Sequence, residues 1–187
     1  MSRWPPDAGA RLKASALSLF AEHGFANVKA AEIAVRAGMT ERTFFRHFKA
    51  KEDVLFEEDP GLAAALTQTI ANAPGDTPTW GLMQKVAECL GEQFDAERDL
   101  HLILAKVVAS EPWLRARALL RDEEIGRTVA EGLVRRGFTA HRAILVATIA
   151  RSIFRLSYDE WLNEACQATL VDIFNRTAAD LAKAIAD

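Results

Sequence analysis

The tripeptide Ala37-Gly38-Met39 sits between two short stretches of helical periodicity, about 29 to 36 and 40 to 47. A turn that tight needs a residue at positive φ, which glycine adopts cheaply, so the pair reads as a helix-turn-helix. Thr40 is a good N-cap for the second helix. At 100° per residue Glu41, Arg42, Phe45 and Arg46 share one face of that helix, Phe44 and Phe48 share the opposite one, and Thr43 and His47 lie on the flank. Phe44 and Phe48 are expected to pack on Ile33, Ala34 and a first helix. Two arginines one turn apart are then placed to enter a DNA major groove, where a guanidinium grips guanine O6 and N7. The plainer alternative is an amphipathic surface helix with solvated arginines; the agreement of turn, cap and aromatic back face weighs against it.

Charge agrees with the sharper reading. The formal net charge is −3, but residues 1 to 51 hold nine Lys/Arg against four Asp/Glu, leaving fourteen against twenty-two for the rest. A basic head on an acidic body suits a chain that brings one end to a polyanion. With 50% hydrophobic and 26% charged residues over 187 positions, the chain can build a core without disulfide staples. Cys89 and Cys166 match no metal or disulfide spacing, which fits reduced thiols in the cytoplasm. The N-terminus lacks the apolar core of a signal peptide, and no run of 18 apolar residues occurs, so neither secretion nor a membrane span is expected.

Along the remainder, apolar residues recur at three- and four-residue spacings with no convincing strand, which predicts an all-α chain of about nine helices. Asp7 or a neighbour caps a first helix striped by Leu12, Ala16, Leu19 and Phe20, and Gly24 ends it. A fourth helix is expected from Lys51, with Asp59-Pro60 either kinking it or opening a fresh one. Ala73 to Pro78 is the clearest break, followed by helices near 79 to 94, 96 to 109, 112 to 136, 140 to 163 and 167 to 185. The expected organisation is a three-helix head over 7–50 and a helical body over 51–187.

The segment from about Arg11 to Phe56 resembles the N-terminal domain of the TetR family of transcriptional repressors. Leu19-Phe20, Gly24-Phe25, Ile33-Ala34, Ala37-Gly38, Thr43-Phe44-Phe45, His47-Phe48 and Lys51-Glu52 carry the likeness. The resemblance implies base contacts from Glu41, Arg42 and Arg46 and phosphate contacts from Thr40, Thr43, His47 and Lys51. Two positions depart from the family. Lys29 stands where a capping threonine is usual and can reach a phosphate only as a point charge. Phe45 stands for the usual tyrosine and offers a base only apolar contact. Glu41 has two readings: a charge that suits the helix dipole, or an acceptor for cytosine N4.

The resemblance further implies a homodimer on a palindromic double-stranded DNA operator, released by a small-molecule effector bound in the body through a lever running from Lys51 to Phe56. It implies that the last two helices pair with their copies, placing Ile149, Ile153, Leu170, Ile173 and Phe174 at the dimer interface; an intrachain core is the alternative for each. Val86, Leu90, Phe94, His101 and Trp113 are read as lining a mostly apolar effector pocket, or else as ordinary core. His23, His101 and His141 have no metal-ligand partners at helical spacing, and no cofactor is expected. No GxSxG, GxGxxG, GxxxxGK or zincin pattern supports an enzyme. An effector-independent architectural protein and a transcriptional activator are the competing readings, and the acidic, long body speaks against the first.

Overall fold

The computed structural model describes residues 8–56, 60–163 and 165–186, and these contain nine α-helices and no strand. In chain order they are α1 (Ala8–His23), α2 (Ala30–Arg36), α3 (Glu41–His47), α4 (Pro60–Asn72), α5 (Thr79–Ala96), α6 (Arg98–Ser110), α7 (Pro112–Arg135), α8 (Ala140–Trp161) and α9 (Leu170–Ala186). Asp7, the expected cap of α1, and Asp59, at the expected kink, lie outside the described residues. The chain divides into two compact units, residues 1–58 with 99–118, and residues 59–98 with 119–187. Compactness therefore divides the chain elsewhere than at 50/51.

In the first unit Leu12, Ala16, Leu17 and Phe20 of α1 are buried with Ile33 and Ala34 of α2 and with Phe44 and Phe48 at the back of α3. The turn between α2 and α3 closes as the periodicity demands. Gly38 stands at φ 69°, the Met39 amide donates to the Ala34 carbonyl at 2.8 Å, and the Gly38 amide donates to Val35 at 2.9 Å. Arg11 pins this turn from α1, its Nη2 donating to the Ala37 carbonyl at 2.7 Å. Residues Lys51–Leu55 form a 3₁₀ turn where the resemblance implied the start of a helical lever. So short a piece gains little from an α ladder, and the Phe56 amide closes it on Asp53 at 3.0 Å. Val107 of α6 and Leu114 of α7 enter this same core, and the Trp113 ring meets Phe25 edge-on at 5.6 Å.

The second unit is built on Leu66, Ile70, Leu82, Met83, Val129, Leu133 and Ala143, with a further cluster of Trp161, Leu170 and Ile173 where α8 and α9 meet. Basic side chains cap its helix ends. Arg136 donates to the Ile70 and Ala73 carbonyls at 3.0 and 2.7 Å, at the end of α4. Arg98 donates to the carbonyls of Trp161, Asn163 and Cys166, while Asp95 accepts from the Trp161 indole at 2.8 Å and from the Leu170 amide at 3.3 Å.

One sequence expectation changes here. Ile153, Leu170, Ile173 and Phe174 are all buried within the chain, against Ala87, Trp161 and one another's neighbours, so they are core and not free faces. The α8–α9 packing consumes them because the two helices follow each other through a short connection and must cover each other first. Of the five expected interface residues only Ile149 is exposed, at 43%, and it lies on one face of α8 with Leu145 and Leu156.

His101 belongs to the first unit and tests its burial. Burial, and next the charge of Lys13, push its imidazole down to about 4. Folding thus disfavours the charged form, so the stability it allows is complete above the ordinary value of 6.5 and is lost as pH falls from 6.5 towards 4. His101→Gln is expected to remove part of that loss, measured as the fall in Tm across this window. An equal fall in both proteins would assign the acid sensitivity elsewhere.

Candidate nucleic-acid interface and body cavity

α3 is set by its cap and its aromatic back. The Thr40 hydroxyl accepts from the Thr43 amide at 3.2 Å, and the two hydroxyls share a hydrogen bond of 3.0 Å. Phe44 is wholly buried and packs on Phe48, with centroids 5.4 Å apart. The opposite face carries Glu41, Arg42, Phe45 and Arg46, all exposed, with Phe45 half in solvent and edge-on to Phe44. His47 is exposed in the last turn and Thr40 at the first.

Two of the residues expected to touch phosphate, Thr43 and Lys51, are differently employed, and a third, Lys29, is not needed as a cap. Thr43 is buried, turned into the cap it shares with Thr40. Lys29 is exposed, and the capping job expected of a hydroxyl at its position is done from the other side: the Glu32 carboxylate accepts from the Lys29 amide at 2.6 Å. Lys51 turns inward. Its ammonium donates to the carbonyls of Phe25 at 2.7 Å, Ala26 at 3.4 Å and Val28 at 2.8 Å, and lies 4.3 Å over the Phe25 ring. It fixes the bend that delivers the chain into α2.

Residue reading missed several positioning groups. Arg36 grips Glu22 through two hydrogen bonds of 2.6 Å and Ser18 at 2.9 Å, tying α2 to α1. Arg117 donates to Asp53 at 2.6 Å and stacks on Phe56, while Asp53 also accepts from the Ala50 amide at 2.8 Å. Burial pushes the Asp53 carboxyl up, but the hydrogen bonds from Arg117 and Ala50 outweigh it and hold the group below its ordinary value. The signal for Glu32 was present in the sequence as an acid three residues after the helix start. Nothing local announces Arg117, which is 64 residues from its partner.

The second unit holds a mostly apolar cleft, a cavity of about 60 Å³ that opens to solvent, between α5, α7, α8 and α9. Val86, Leu90 and Phe94 are among its walls, with Ile125 and Val129 of α7 and Phe154 of α8. His101 and Trp113 are not. The helix that starts at Arg98 carries His101 into the first unit, where Trp113 covers Phe25, so the expectation that they line this pocket is corrected. Among the described residues no group of His, Cys, Asp and Glu could hold a metal, and no helix is long and apolar enough to cross a membrane.

A two-turn helix with a basic exposed face, joined through a glycine turn to a half-buried support helix, defines a helix-turn-helix DNA-binding protein. Residues 12–57 match the model of the tetR family of bacterial regulatory proteins, and the chain is a DNA-binding transcriptional regulator. It is 28% identical over 156 residues to the HTH-type transcriptional regulator TcmR of Streptomyces glaucescens, covering 78% of this chain and 69% of that one. The fold is shared with Thermus thermophilus FadR, a TetR-family repressor solved with lauroyl-CoA (23% identity, 91% of each chain, TM-score 0.58). It is shared likewise with the fatty acid degradation regulator FadR of Bacillus halodurans (15% identity, 95% and 94% of the chains, TM-score 0.59).

The inward turn of Lys51 gives a prediction. Lys51→Ala leaves three carbonyls without their charged donor and is expected to destabilise the head by about 1–3 kcal/mol. Denaturant unfolding measures it. An unchanged midpoint with weaker binding to every duplex would make Lys51 a phosphate contact instead.

Proposed function

We propose that the protein is a homodimeric cytoplasmic repressor that holds a palindromic operator through residues 28 to 51 and releases it when a small, largely apolar effector occupies the body cavity. The observation that carries the DNA half is the exposed face of Glu41, Arg42, Phe45 and Arg46 on a helix whose other face is fully buried. A rigid helix offering side chains on one face only is what a major groove admits. His47, Thr40 and Lys29 flank that face and are exposed, in positions suited to phosphates. The effector half is supported by the cavity, which is lined by four helices, opens to solvent and is walled mainly by aliphatic and aromatic groups. Occupancy releases DNA only if the effector binds the operator-free conformation more tightly, since equal affinity shifts no population.

A single two-helix reader covers too few bases for specific affinity, so the reading needs two copies. Leu145, Ile149 and Leu156 form an exposed apolar face on α8, and Leu181 and Ile185 continue the inner face of α9 beyond the residues that cover Phe174. These are the residues assigned to the dimer interface in place of those the core consumes.

Two tests follow. Arg42→Ala and Arg46→Ala are each expected to cost about 1–3 kcal/mol on a duplex selected from a random pool, and to relax base preference at neighbouring positions. The reading fails if scrambled duplex loses as much. Ile149→Glu with Leu156→Glu is expected to convert a dimer to a folded monomer in sedimentation and to abolish protection of the palindrome, whereas Ile153→Glu is expected to unfold the body. A native chain that sediments as a monomer and binds one half-site tightly would overturn the dimer.

A further inference from the structure

The body cavity is apolar apart from one ion pair. α5 and α9 contribute only apolar side chains to its wall, and the ionisable groups that line it are Asp122 of α7 and Arg151 of α8. Arg151 pairs with two acids but keeps donors that no protein group among the described residues accepts. Its Nη1 donates to Glu123 at 3.2 Å and stands 3.6 Å from Asp122, beyond hydrogen-bond distance; among the described residues its Nε and Nη2 donate to nothing. Glu123 is 64% exposed, so its hold on the guanidinium is screened by water.

The site is also built at a cost. A Cβ on Gly126 would stand 3.2 Å from Arg151 Cδ and 3.6 Å from its Nε, so the arginine stem lies close against the bare backbone of α7. A glycine in mid-helix costs about 1 kcal/mol relative to alanine.

We propose that this cavity selects apolar anions: the acidic end of an otherwise apolar molecule pairs with Arg151 and takes over the place of Asp122, the rest lying against the walls. This rests on reading the cavity as the effector site. A guanidinium keeps its charge and presents a planar fork that fits a carboxylate or sulfonate. Asp122 can yield. Burial pushes its carboxyl above the ordinary range in spite of Arg151 and Arg155, so it gives up its charge more readily than an exposed acid does. An amine in the same place would meet the permanent charges of Arg151 and Arg155.

The test uses two fluorescent probes of one aromatic skeleton: 1-anilinonaphthalene-8-sulfonate, and N-phenyl-1-naphthylamine, which lacks the sulfonate. The native protein is expected to bind the sulfonate about tenfold more tightly than the amine, as a charge-assisted hydrogen bond allows. Arg151→Gln should bring the two together by weakening the sulfonate alone, Arg151→Lys should keep part of the preference, and Asp122→Asn should tighten the sulfonate. Ala150→Trp, which fills the cavity, should abolish both. Equal binding by the native protein, a preference that survives Arg151→Gln, or sulfonate binding that survives Ala150→Trp would each overturn the proposal. Equal binding that Ala150→Trp abolishes leaves the cavity an effector site without charge selection. Absence of binding by either probe removes that reading of the cavity, and this one with it.

Discussion

A seven-residue helix cannot hold its own backbone in water, where even 12 to about 15 residues are marginal. Everything that α3 does therefore depends on how it is gripped from behind. Phe44 supplies the grip, fully buried among α1, α2 and Phe48, and the Thr40 cap and the Gly38 turn fix the helix's start. Because the burial is on one face, the other is left to water and to whatever meets it. The basic surface follows from an aromatic anchor.

The features legible in the sequence were those encoded within a few residues of one another. The glycine turn, the threonine cap and the alternation of Phe44 with Phe45 each declare themselves inside one or two helical turns, and the helix order follows from periodicity. What could not be read was which surface covers which apolar stripe. Ile153 and Phe174 carry the same helical signal as Ile149, yet two are swallowed by the α8–α9 contact and one is exposed. His101 and Trp113 failed for the same reason: their spacing fits a wall of a pocket, but α6 packs on the head. Periodicity tells that a face is buried and is silent about its partner.

Charge misleads in a related way. A count of basic residues in the head treats Lys51 and Arg36 alike as attractors of phosphate, but one ammonium is spent on three carbonyls and one guanidinium on Glu22. In the body Arg136 and Arg98 are likewise turned to carbonyls at helix ends. Several arginines and one lysine here satisfy orphan backbone oxygens instead of presenting their charge to a partner.

The corner between α5 and α6 has a mechanical consequence. Asp95 accepts from the first amide of α9 while Arg98, three residues on, donates to the last carbonyls of α8 and of the loop after it, each charge meeting the helix end of opposite polarity. The connection between α8 and α9 is thereby clasped at both of its ends by one short piece of chain, so α9 can neither slide along α8 nor change its register. Thermal motion of the hairpin must then accumulate at the far tip of α9, whose last apolar side chain, Ile185, is 76% exposed. The C-terminal turns are the free end of a hairpin pinned at the other.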